Sequence, residues 1–179
     1  DNYINILGPT GSFIISDTTI CKDDFVTFTP SVINTDNYIW DLGNGMSSSD
    51  SIVVFQYNNS GVFIPTLIIE NNYGCQFTII SDRTINVNEV IIDAGINTEI
   101  CEGESVQLNA IGDYSYYSWM PTVGLNSINI SNPIASPITS MFYYVSHTDG
   151  ICNALDSIFV SVYNDVPNAS FTTNNLCYG

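Results

Sequence analysis

Short runs of alternating apolar and polar residues fill this chain, each cut off by a cluster of Asn, Asp, Gly, Ser or Pro. A period of two places successive side chains on opposite faces of a strand, and the polar clusters are turn formers. In the first half the pattern predicts strands at about 12–16, 25–32, 37–42, 52–56, 62–70 and 76–87. In the second half it predicts strands at about 91–94, 105–111, 115–120, 128–131, 141–147 and 155–163. No stretch shows helical apolar spacing, and no apolar run is long enough to span a membrane as a helix. Short strands at this spacing predict an all-β chain built of sandwiches.

The strongest local signal is Tyr38-Ile39-Trp40-Asp41-Leu42-Gly43-Asn44-Gly45. It is apolar up to Trp40 and then becomes a polar, glycine-rich bend, as a buried strand entering a tight turn does. An aromatic ring as large as that of Trp40 buries enough area for a small sandwich to form around it.

The cysteines expose a repeat. Cys21 is followed by Lys22-Asp23-Asp24-Phe25-Val26-Thr27-Phe28, and Cys101 by Glu102-Gly103-Glu104-Ser105-Val106-Gln107-Leu108. Trp40 and Trp119 come next, then Cys75 after Tyr73-Gly74 and Cys152 after Gly150-Ile151. The order Cys, Trp, Cys thus occurs twice. Cys177 opens a third repeat, because Ala169-Ser170-Phe171 before it matches Gly11-Ser12-Phe13 before Cys21. Tyr3-Ile4-Asn5-Ile6-Leu7 matches the closing strands at Ile85-Asn86-Val87 and Val160-Ser161-Val162. The predicted organisation is therefore residues 1–7 as the last strand of a preceding repeat, a sandwich at 8–88, a second at 89–165, and the start of a third at 166–179. The chain opens in mid-pattern, without an initiator Met or signal peptide, as expected for part of a longer processed protein. The linker 87–91 is short and has no Gly or Ser tract, which predicts a stiff junction.

After Trp40 come Phe55-Gln56-Tyr57-Asn58-Asn59-Ser60-Gly61, the run 62–69 and the turn Asn71-Asn72-Tyr73-Gly74. Residues 8–88 resemble the polycystic-kidney-disease (PKD) domain, an immunoglobulin-like β-sandwich with the pattern W-D-F-G-D-G, H-x-Y, G-x-Y-x-V-x-L-x-V and N-x-x-G. Leu42 and Asn44 replace the usual Phe and Asp, Phe55 stands at the His position, and Pro65 stands where Val is usual. The second repeat departs from this pattern. Its Trp119-Met120-Pro121-Thr122-Val123-Gly124-Leu125, Asn132-Pro133, Ser136-Pro137 and Phe142-Tyr143-Tyr144-Val145 resemble immunoglobulin-like repeats of very large Bacteroidetes surface proteins of the adhesin and gliding type. There such repeats alternate with PKD repeats. The resemblance implies secretion through the type nine system and display at the cell surface.

Charge narrows the partners. Only Lys22 and Arg83 oppose 18 acidic residues among 179, for a net charge of −16. Nucleic acid and anionic membrane surfaces are excluded as partners on this balance. Neighbouring repeats of the same chain, like chains and surface glycans remain. Hydrophobic residues make up 45% of the chain, enough for a core.

The five cysteines lack CxxC spacing and have one His, His147, beside them, so disulfides are expected rather than a metal site. That points to an extracellular or cell-surface location. The simple pairing lies within repeats, Cys21–Cys75 and Cys101–Cys152, with Cys177 bonded outside the fragment. The alternative pairs Cys21 with Cys152, because in an immunoglobulin-like order the two cysteines of a repeat fall at opposite poles. Closing a loop within one repeat contributes roughly 4 kcal/mol.

No catalytic residues are predicted. His147 reads as a surface residue at a strand end, and Asp23-Asp24 and Glu102-Gly103-Glu104 as solvated turns, since they fall at matching positions. No cofactor is expected. Calcium is the candidate cation, with Glu89 and Asp165 at equivalent junction points as weak candidate ligands. Asp17-Thr18-Thr19, Asp50-Ser51-Ile52 and Asp156-Ser157-Ile158 match the D-[ST]-[AILVMT] O-glycosylation pattern of the suspected family, at Thr18, Ser51 and Ser157. Asn58, Asn129 and Asn168 open N-x-S sequons. Tyr57 resembles the tyrosine of a sandwich corner. Tyr114, Tyr116 and Tyr117 read as core packing plus scattered surface, with a glycan surface as the alternative. The expected function is a non-catalytic stalk or filament segment; the alternative is a glycan- or protein-binding module acting through sandwich loops.

Overall fold

The computed structural model describes residues 7–112 and 116–164. Of the expected strand at 1–7 only Leu7 falls among them. The expected third repeat at 166–179, with Cys177 and Asn168, lies outside them, as do Tyr114 and Asp165. The described residues form strands and turns without a helix, an all-β fold of immunoglobulin-like sandwiches. They divide into two compact units, Asp1–Val90 with Asp149–Cys152, and Ile91–Thr148 with Asn153–Gly179.

The first unit has ten strands: β1 (Thr10–Ile15), β2 (Thr19–Cys21), β3 (Phe25–Ile33), β4 (Asn37–Asp41), β5 (Ser47–Ser48), β6 (Val53–Gln56), β7 (Gly61–Phe63), β8 (Thr66–Glu70), β9 (Gln76–Ile80) and β10 (Ile85–Asn88). They form sheets ordered β1-β3-β6, β2-β10-β7 and β5-β4-β8-β9. All three sheets contribute to one core: Val26 and Phe28 from β3, Ile20 and Val87 as facing partners in the β2–β10 pair, and Trp40, Leu67 and Ile69 from β4 and β8. Each comes from the apolar phase of an alternating run, which is why the pattern was legible. Trp40 is 0% exposed, packs edge-on against Phe13 with centroids 5.0 Å apart, and satisfies its indole N–H on the Asp50 carbonyl at 2.9 Å.

Two strands predicted as continuous are broken. The run 62–70 becomes β7, paired with β10, and β8, paired with β4. The break falls at Ile64-Pro65, because proline has no N–H for a ladder and turns the chain from one sheet to another. Pro65 is buried there and its carbonyl accepts from Ser81 N at 3.0 Å. The run 76–87 likewise changes sheets between β9 and β10.

The second unit has β11 (Ile92–Asp93), β12 (Thr98–Cys101), β13 (Val106–Gln107), β14 (Ile111–Gly112), β15 (Ser118–Met120), β16 (Ile134–Ala135), β17 (Met141–Thr148) and β18 (Asn153–Tyr163). Their sheets are β11-β14, β12-β18-β17-β15 and β13-β16. The core holds Trp119, Tyr143, Val145, Ile158, Val160, Ile100 and Leu108. The strand expected at 128–131 is absent. Its carbonyls serve other partners: Ile128 O accepts from Trp119 N, Ile130 O from the Trp119 indole and Ser131 O from Ala110 N, and a short strand forms instead at β16. The run predicted at 105–111 is likewise divided into β13 and β14.

Neither β2 nor β12 was anticipated. Each is a short strand ending in a cysteine, and each pairs in parallel with the closing strand of its repeat, Cys21 opposite Asn88 and Cys101 opposite Tyr163. The overlooked signal is the apolar residue before each cysteine: Ile20 and Ile100 are both buried.

Candidate functional site

The chemistry that bonds residues far apart in sequence is concentrated at Cys21. Its sulfur is joined to Cys152, with Cα atoms 5.6 Å apart across a sequence separation of 131. This corrects the within-repeat pairing: Cys75 and Cys101 are free thiols, and the bond runs from the first cysteine of one repeat to the second cysteine of the other. The physical reason lies in β2. Its parallel pairing with β10 carries Cys21 to the closing end of that strand, whereas Cys75 lies in the turn between β8 and β9, in a different sheet.

Both partners are held by local hydrogen bonds. The Asp24 carboxylate accepts from Cys21 N at 2.9 Å, and Asp24 N donates to Cys21 O at 3.0 Å. Between them Asp23 takes a left-handed conformation, φ 70°, which Asp tolerates better than most residues. On the other side Asp149 folds over its own turn, its Oδ1 accepting from Ile151 N at 2.8 Å and Cys152 N at 2.7 Å. Cys152 is buried. Asp24 and Glu104 stand in exposed turns, as expected, and their carboxylates have a local role as well. Each carboxylate locks its own turn, Glu104 accepting from Cys101 N at 2.9 Å.

The pair Lys22 Nζ to Glu89 Oε1, 2.5 Å apart, stands on residues adjacent to the β2–β10 pair, and Ser60 donates to the second Glu89 oxygen at 3.2 Å. Those hydrogen bonds hold the Glu89 carboxyl below its ordinary range, and Glu89 holds the Lys22 ammonium above its own. Glu89 is thus already engaged by a cation of the chain.

The remaining predicted positions are dispersed. Thr18 is half-buried and its hydroxyl accepts from Arg83 at 3.4 Å. Ser157 is half-buried on β18, whereas Ser51 is exposed on a turn. Asn58 and Asn129 are exposed. His147 is not a surface residue: it is 3% exposed, its Nδ1 is hydrogen-bonded to the Tyr116 carbonyl, and its ring lies 5.9 Å from that of Tyr117. The strand phase explains this, since His147 shares the inward face of β17 with Tyr143 and Val145. Tyr117 packs against the core and Tyr116 is exposed. Among the described residues no group of three or more His, Cys, Asp or Glu is placed to hold a metal ion. No helix among them is long and apolar enough to cross a membrane.

The two repeats also share a buried tyrosine that bonds a turn. Tyr57 Oη donates to Leu42 O at 2.8 Å, and Tyr143 Oη to Val123 O at 2.7 Å. The outward face of β17 and β18 instead carries Phe142, Tyr144 and Phe159, with Phe142 4.7 Å from Phe159 and 6.1 Å from Tyr144 between ring centroids. Sequence reading did not single out this row, although the alternation of Phe142-Tyr143-Tyr144 holds it.

No model of a known protein family matches the chain, and no curated protein matches it. Among solved structures it is similar to the PKD1 domain of Vibrio anguillarum Epp, at 20% identity and a TM-score of 0.39, over 46% of this chain and 98% of that one. It is similar to the PKD1 domain of the Vibrio cholerae metalloprotease PrtV, at 22% identity and a TM-score of 0.39, over 46% and 99%. It is also similar to the I-band fragment I67-I69 of titin, at 12% identity and a TM-score of 0.41, over 88% and 66%.

Proposed function

We propose that this chain is a non-catalytic structural segment, a stalk or filament element of a large secreted or cell-surface adhesin-like protein. The observation that carries this reading is the Cys21–Cys152 bond, which ties the first cysteine of one repeat to the second cysteine of the following one. A bond in this order adds a second covalent tie, beside the backbone, between consecutive repeats of an array in which each repeat contacts only its neighbours. Disulfides persist in oxidising compartments, which supports an extracellular or cell-surface place. The buried, hydrogen-bonded state of His147 supports no role as a base beside a nucleophile. The partners on this reading are neighbouring repeats of the same chain. The repeat motifs support a Bacteroidetes source, and exposed Ser51 is the O-glycan site it favours. No cofactor is proposed; calcium at Glu89 would have to displace Lys22. Electron microscopy of the intact native protein tests the proposal. A long beaded rod without lateral partners is the expected image. Compact particles would overturn it, and bundled fibres with regular contacts would make assembly the function instead.

One observation favours a second reading, glycan binding. Phe142 and Tyr144 are 49% and 44% exposed beside Phe159 on a sheet face, and sugar rings stack on such aromatic surfaces. Titration of the chain against a glycan panel tests it. Binding that disappears in Phe142→Ala would establish the module, and an absence of binding would remove it.

A further inference from the structure

The bonded pair Cys21–Cys152 has an exact counterpart of each half elsewhere in the chain, and those halves are open. Cys101 repeats the surroundings of Cys21. Its amide donates to Glu104 at 2.9 Å, as that of Cys21 does to Asp24. Glu104 N returns a bond to Cys101 O at 3.0 Å, as Asp24 N does to Cys21 O. The next residue bonds the closing strand in both repeats, Glu102 N to Tyr163 O at 3.0 Å and Lys22 N to Asn88 O at 2.7 Å. Cys75 repeats the surroundings of Cys152. Asn71 Oδ1 accepts from Tyr73 N at 3.1 Å and Cys75 N at 3.0 Å, as Asp149 Oδ1 does from Ile151 N and Cys152 N. Both hairpins join antiparallel neighbours, β8 to β9 and β17 to β18. The matched cysteines are already covalently joined in this molecule, so the two open halves have a known ligand: each other's kind.

We propose that Cys101 is a cross-linking site whose partner is a cysteine closing an Asn- or Asp-anchored hairpin of another sandwich of this type, and that Cys75 offers such a hairpin in the opposite direction. The reaction is thiol–disulfide exchange with a disulfide oxidant, either a small-molecule disulfide or a disulfide oxidoreductase. The Cys101 thiolate attacks the oxidant and releases one thiol. The partner thiolate then displaces the second, so the oxidant is reduced to two thiols that carry away the two protons. The inference deepens the stalk reading and rests on it only for the supply of further sandwiches.

The test is peptide mapping of the protein at its natural length, alkylated before digestion and run with and without reduction. The expected result is a Cys101 peptide that appears only after reduction and whose partner carries Asn or Asp three or four residues before its cysteine and Gly one or two before it, as Cys75 and Cys152 do and Cys21, Cys101 and Cys177 do not; a partner without that Gly would overturn the proposal. A partner of different sequence identifies a further repeat. The Cys75 peptide, in a species of at least twice the monomer mass on a non-reducing gel, identifies a second copy. An alkylated Cys101, a Cys101–Cys75 bond within a monomer, or a bond to a second Cys101 would overturn the proposal. A beaded rod seen with Cys101 alkylated would sink this cross-link while leaving the stalk intact.

Discussion

The Tyr57 hydroxyl donates to the Leu42 carbonyl at 2.8 Å, and both residues are buried beside the Trp40 core. The hydroxyl closes the glycine-rich bend after β4 onto the loop after β6. Removing it in Tyr57→Phe leaves a buried carbonyl without its donor, at a cost of about 1–3 kcal/mol. Denaturant midpoints of the two proteins measure this.

The same phenol sets an alkaline limit. Burial, with Asp41 adding, pushes the Tyr57 phenol well above its ordinary value. The folded state therefore keeps a proton that the unfolded chain gives up near pH 10. Stability from this group is complete below about pH 10 and falls as the pH rises above it. A melting-temperature profile from pH 8 to 11 is expected to be flatter in Tyr57→Phe than in the parent.

Two motif glycines are demanded by close backbone approach. Gly43 has φ +80°, and a Cβ there would lie 2.7 Å from Ile64 N. Gly124 has φ +77°, and its Cβ would lie 2.9 Å from Ser136 O and 3.0 Å from the Tyr143 hydroxyl. Gly43→Ala and Gly124→Ala are each expected to destabilise by about 1–3 kcal/mol or more. Gly45, with a similar φ but open space, isolates the backbone strain from the clash, and Gly45→Ala should lose less melting temperature than either.

The disulfide encloses most of both repeats. Cys21→Ser is expected to cost about 2–5 kcal/mol, by restoring loop entropy to the unfolded chain. Pulled from its ends, the oxidised chain carries force through the bond and bypasses the residues between Cys21 and Cys152. Reduction should release an extra extension of about 450 Å, at roughly 3.4 Å for each enclosed residue. Single-molecule force spectroscopy with and without reductant reads this directly. Equal contour lengths in the two conditions would contradict the bond.

Lys22 and Glu89 give an acid-side counterpart. The hydrogen bond from Lys22 lowers the Glu89 carboxyl from 4.5. Its contribution is present above that ordinary value and is lost as the pH falls through the lowered one. Both groups are partly exposed, so the effect is small and salt-sensitive. Glu89→Gln is expected to soften the loss of melting temperature below pH 4.5, most visibly at low salt. Millimolar calcium should leave the neutral-pH melting temperature unchanged.

Period-two alternation was sufficient to place β3, β4, β6, β17 and β18, because one face of each is buried and a one-residue slip would expose it. It failed where a continuous apolar run changes sheets, at Pro65 and between β9 and β10, since both segments remain apolar while their partners differ. It also misread His147, whose polarity suggested the surface while its strand phase faced inward. Of the candidate site, the cysteines and their matched turns were legible. The bonds of Asp24 and Glu104 to their own turns were not, because a solvated turn carboxylate looks the same in sequence whether or not it also accepts from a backbone amide.

The sequence by itself determined that the chain is all-β, that it repeats, which tryptophans centre the cores and that its cysteines belong to one recurring pattern. Those properties are local: they follow from alternation, turn chemistry and spacing. The tertiary structure alone decided which cysteines join. Equal spacings along a repeat leave several pairings open, and only the parallel placement of β2 against β10 brings Cys21, rather than Cys75, within bonding distance of Cys152.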